Sequence, residues 1–73
     1  MDQSRLAVMA NQIADFFGAQ RSGAEEAIAD HIAKNWDPRM RAGIFALLDA
    51  GGTGLTPLAR AAVERLAAAR AEA

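Results

Sequence analysis

Along the first part of the chain, apolar side chains return every three or four residues: Leu6, Met9, Ala10, Ile13, Phe16 and Phe17. That spacing places them on one face of a helix expected over roughly 4–17. Ser4 stands where an N-cap is wanted, and Gly18 is well placed to end the helix. A second stripe, Ala24, Ile28, Ile32 and Trp36, begins at Ser22-Gly23-Ala24-Glu25. This is a capping-box pattern, in which the Ser22 hydroxyl accepts from an amide of the first turn and Glu25 reaches back. It predicts a helix over roughly 23–35. The third helix opens at Asp37-Pro38, with aspartate as N-cap and proline at the first position, where its missing N–H costs nothing. It carries Met40, Ile44, Leu47 and Leu48 and is expected over roughly 38–50. Thr56-Pro57 uses the same device to open a fourth, over roughly 57–71, with Leu58, Ala62, Leu66 and Ala69 inward and Arg60, Glu64 and Arg65 toward water. No segment alternates long enough for a strand. The pattern predicts an all-α fold, a small bundle of about four short helices in one domain over residues 1–73. The shortest connection falls at Trp36-Asp37, because a residue before proline is pushed out of the α region and the chain must turn there.

Composition changes this picture in one respect. The chain is 52% hydrophobic, but much of that is alanine, and only 5% is aromatic: Phe16, Phe17, Trp36 and Phe45. A thin core that gains from a partner is expected at this length. Charge excludes more. Eight basic and nine acidic residues leave a net charge of −1, without the basic excess of a sequence-independent nucleic-acid binder. Lys34, Arg39 and Arg41 are interleaved with Asp30 and Asp37, so no nucleic-acid partner is expected. The opening MDQSRLAVMANQIADFF carries Asp2 and Asp15 and no uninterrupted apolar run. It reads as neither signal peptide nor membrane span, which points to a cytoplasmic protein with no membrane partner. In the last helix Glu64 and Glu72 dilute Arg60, Arg65 and Arg70, a pattern suited to packing on protein rather than lying on a bilayer.

Candidate chemistry is sparse. The absence of cysteine excludes disulfides, zinc–thiolate sites and iron–sulfur ligation by this chain. His31 has Ala27 and Asn35 where a second metal ligand would stand. Ser4 and Ser22 are accounted for by caps, and Glu25-Glu26 lies in a first turn where acids favour the helix dipole. Ala50-Gly51-Gly52-Thr53-Gly54 lacks the preceding strand and the Lys-Ser/Thr pair of a phosphate loop, and reads as a helix C-cap. No catalytic, cofactor-binding or metal-binding residue is expected. Two arginines are left over. Arg39 and Arg41 lie about 200° apart on a helix, and Arg41 shares a side with Phe45, which falls off the Met40/Ile44/Leu47 stripe. Arginine beside an exposed aromatic is the composition of an interface centre. The alternative is a solvated arginine and a phenylalanine that reaches the core.

The strings Met9-Ala10-Asn11-Gln12-Ile13-Ala14, Phe16-Phe17, Ile28-Ala29-Asp30-His31-Ile32, Trp36-Asp37-Pro38-Arg39-Met40-Arg41 and Ala50-Gly51-Gly52-Thr53-Gly54-Leu55-Thr56-Pro57-Leu58 span most of the chain. Together they resemble the small delta subunit of bacterial NAD-dependent formate dehydrogenases. Gly18 to Gly23 and Lys34-Asn35 fall outside the likeness. The resemblance implies a non-catalytic accessory chain that holds no cofactor and stabilises, or helps assemble, the catalytic (alpha) subunit. That subunit carries a molybdenum or tungsten bis-pterin guanine dinucleotide and iron–sulfur clusters. Beta and gamma subunits, one with FMN and a small one with iron–sulfur, complete a complex that oxidises formate to carbon dioxide with NAD. On this reading Trp36, Arg39, Arg41 and Phe45 meet the partner. An independent helical adaptor is the other class that the residues allow.

Overall fold

The computed structural model describes residues 2–20 and 22–72, apart from the side chains of Ala71 and Glu72. Arg21, in the segment outside the likeness, is not among them. The described residues form four helices and no strand: α1 (Gln3–Phe17), α2 (Ala24–Asn35), α3 (Pro38–Asp49) and α4 (Pro57–Glu72). The all-α fold expected from periodicity is therefore the fold observed.

The two cap-plus-proline signals act as their chemistry predicts. Asp37 is extended, and its carboxylate accepts from the Met40 amide at 2.8 Å. Thr56 Oγ1 accepts from the Ala59 amide at 3.3 Å, and its carbonyl accepts from the Arg60 amide at 2.8 Å. Asp37→Ala is expected to cost about 1 kcal/mol through loss of the cap, measured by thermal or urea unfolding; an unchanged midpoint would count against it.

The serine caps are different. Asp2, not Ser4, caps α1, accepting from the Ser4 amide at 3.1 Å and the Ser4 hydroxyl at 3.0 Å. The backbone is already helical at Gln3, so Ser4 lies two residues inside. At α2 the expected capping box does not form. Gly23 is the N-cap, with a left-handed φ of 76° and no side-chain cap bond, and its carbonyl accepts from the Ala27 amide. Ser22 is thereby one residue too far back for its hydroxyl to serve the first turn. Gly18 ends α1 in the right-handed region rather than as a left-handed cap. The left-handed cap is found after α3: Gly52 N–H donates to Leu47 O and Gly51 N–H to Leu48 O, a Schellman pair whose Gly51 has φ 116°.

The core joins all four helices: Leu6, Ile28, Ile32, Ile44 and Val63 are fully buried, and Ala7, Ala10, Ala14, Ala59 and Ala62 fill the spaces between them. Alanine at these positions lets helix axes approach closely and explains how a thin core still closes. Gly43 serves the same end, since a Cβ there would stand 2.5 Å from Leu6 Cδ1. α1 packs against each of the other three helices, and the most extensive pairing is α2 with α4. α2 and α3, joined by the tightest corner, barely touch. The buried face of α1 runs through Leu6, Ala7, Ala10 and Ala14, so the expected stripe is rotated. Met9, Ile13 and Phe17 lie at its edge and Phe16 is 80% exposed.

Candidate functional site

The corner between α2 and α3 is built from Trp36 and Asp37. Both are extended, as the following proline requires. The Trp36 amide still donates to Ile32 O, while its carbonyl points past the end of α2. That carbonyl and Ala33 O are bare helix-end acceptors. Arg41, one turn into α3, answers both: its Nη1 donates to Ala33 O at 3.0 Å and to Trp36 O. The guanidinium expected to face outward thus caps the preceding helix. A planar group with several donors, on a stem long enough to fold back, suits this better than lysine would.

Phe45 resolves the open alternative. It is 6% exposed and belongs to the core, so it is not an exposed aromatic beside Arg41. α4 covers the side of α3 that the stripe left out, and the Arg70 guanidinium lies over the Phe45 ring, 4.2 Å from its centroid, in cation–π geometry. Arg41, Phe45 and Arg70 line one open groove of about 480 Å³, with Leu66 and Ala69 of α4 opposite Pro38 and Ala42 of α3.

Trp36 is 5% exposed and lines a second groove, of about 470 Å³, with Met9, Ile13, Phe16 and Phe17 of α1. His31 is half-buried there, its ring edge-to-face with Phe17 at 6.0 Å. Arg39 is exposed and lines neither groove. The structure therefore brings Arg41 and Phe45 to one groove, turns Trp36 to another, and leaves Arg39 apart.

Two positions that the sequence did not single out hold the glycine loop. Asn11 Nδ2 donates to Gly54 O at 2.8 Å while its Oδ1 accepts from the Thr56 amide at 2.9 Å. Arg60 Nη1 donates to Gly51 O at 2.9 Å, and its guanidinium lies beside Gly52, 3.3 Å from where a Cβ would stand. A further such position, Arg70, acts away from the loop, on the Phe45 ring. An asparagine in mid-helix, where it is a poor helix former, was the one available signal. Among the described residues no group of three or more His, Cys, Asp or Glu is placed to hold a metal ion. No helix among them is long and apolar enough to cross a membrane.

By fold and side chains this is a small all-α domain with two open, largely apolar grooves. Residues 5–63 match the family described as NADH-dependent formate dehydrogenase delta subunit FdsD, and the chain belongs to that family. The match contains both the Trp36 corner and the glycine loop and ends at Val63, the last fully buried side chain among the described residues. No curated protein and no solved structure matches the chain.

Proposed function

We propose that the chain is a non-catalytic accessory subunit of a multisubunit NAD-dependent formate dehydrogenase, which stabilises or helps assemble the cofactor-bearing catalytic (alpha) subunit in the cytoplasm. Beta and gamma subunits belong to the same complex. The molybdenum or tungsten bis-pterin guanine dinucleotide, the iron–sulfur clusters and the FMN reside in those partners. The observation that carries the reading is Phe16, 80% exposed at the mouth of an apolar groove. Large apolar side chains clustered at a surface opening mark a face that another protein covers. Membership in a formate dehydrogenase delta-subunit family supports this assembly. The polar inventory agrees: Asn11, Asp37, Arg41 and Arg60 are engaged with the chain's own backbone. Of the residues expected to meet the partner, Arg39 is exposed and Arg41, half-buried, stands on a groove wall, so these two can touch it directly. Trp36 and Phe45 act by shaping the two grooves.

The test is capture from the native cell. A tagged chain is expected to bring down a large subunit that contains molybdenum or tungsten. Capture of the chain alone, or only with proteins free of both metals, overturns the reading.

A further inference from the structure

The geometry points to the groove between α3 and α4 as the seat of an acidic, amphipathic segment from another subunit of the same complex, its aliphatic side chains on the groove floor and its carboxylates on Arg41 and Arg70. This rests on the subunit reading above and adds to it the chemistry of the contact.

Two features of the groove define its occupant. The floor is apolar and low: Ala42, Leu66 and Ala69 leave room for the side chains of a helix or extended segment to come close. The charges on its walls are Arg41 and Arg70, with no carboxylate among the lining residues. Three basic side chains outside the groove pair with acids: Lys34 lies 3.0 Å from Asp30, Arg60 3.7 Å from Glu64 and Arg65 2.7 Å from Glu26. The groove arginines instead are held by neutral groups. Arg41 is fixed through Nη1 by two carbonyls, and Arg70 by the face of Phe45.

Among the described residues, each is positioned without being neutralised. Arg41 keeps its Nε and Nη2 donors, and Arg70, stacked by its face, keeps the donors around its edge. Guanidinium edges so presented take carboxylates in paired hydrogen bonds, and prior fixing lowers the ordering cost of binding. A small inorganic anion would satisfy the charges and leave the apolar floor uncovered. A segment carrying both acids and aliphatic side chains satisfies both.

The experiment uses the intact complex, with a photo-crosslinking amino acid replacing the exposed Ala69 of this groove or Gln12 of the other. The Ala69 probe is expected to capture a peptide of another subunit that bears Asp or Glu among aliphatic residues. Arg70→Glu is expected to weaken retention of the chain about tenfold or more, with Arg70→Lys intermediate. Arg5→Glu, an equal charge reversal outside the groove, should leave retention unchanged. Circular dichroism of each variant checks that helicity is kept. Arg70→Glu retained at wild-type affinity and salt dependence overturns the proposal. So does capture of a second copy of this chain or of a segment without carboxylates, or loss of Ala69 capture on adding inorganic phosphate alone. If the wild-type chain retains no partner at all, it is the subunit reading that fails.

Discussion

Trp36→Ala is expected to remove about 3 kcal/mol of stability. A chain of this size is held by only about 4–11 kcal/mol, so the loss is a large share of the total. The indole is 5% exposed and closes the joint core at the point where α2 ends and α3 begins. It also walls the groove that Met9, Ile13, Phe16 and Phe17 line. The space left by truncation therefore opens into that groove and fills with water. This keeps the loss near the lower end of the range for a buried aromatic. Trp36→Phe, which retains most of the apolar surface, is expected to lose less than half as much. Trp36 is the only tryptophan and the chain has no tyrosine, so far-ultraviolet circular dichroism in a urea series is the suitable readout. A loss below that of Asp37→Ala would mean that the corner is held by its backbone alone.

Asn11→Ala is expected to cost about 2 kcal/mol, on the basis of about 1 kcal/mol for each of two hydrogen bonds. Both ends of the amide are engaged, Nδ2 with Gly54 O and Oδ1 with the Thr56 amide. The second bond occupies the backbone N–H of the residue that caps α4. Asn11→Asp separates the two contributions: the carboxylate still accepts from Thr56, whereas it repels Gly54 O. Hydrogen exchange reads this directly. The Thr56 amide should lose protection in Asn11→Ala and retain it in Asn11→Asp. Unchanged protection in the alanine variant would show that the loop stands without α1.

What the sequence disclosed and what it withheld divide by distance along the chain. Asp37-Pro38 and Thr56-Pro57 were legible because a cap and its amide lie within three residues. Ser22 misled because the outcome turned on a left-handed Gly23, a backbone state that composition permits but does not demand. Phe45 took the buried one of the two places left open to it, and Phe16 left its expected place on the inner face, for a tertiary reason. Periodicity says which residues share a face, but the position of α4 decides that Phe45 is covered and Phe16 is not. Asn11 acts on partners 43 and 45 residues away, beyond any local rule. For the candidate site, Arg41 was visible as an arginine in need of a role, while the role itself needed the carbonyls at the end of α2. Neither groove had a signature in the sequence, since each is made by side chains from different helices.

The pairing of α2 with α4 bears on how the chain comes into being. Synthesis runs from the N-terminus, so α2 leaves the ribosome long before its main companion exists. Ile28 and Ile32, both fully buried in the finished domain, wait for Ala59, Ala62 and Val63. α3, made in between, adds little to α2 beyond the Arg41 cap on its last carbonyls. Closure is therefore a late event that depends on contacts far apart in the chain, the kind that slow folding. A nascent or truncated product that stops short of Val63 leaves those isoleucines open on their α4 side to proteases and chaperones, and the groove between α3 and α4 exists only once Leu66, Ala69 and Arg70 have been made.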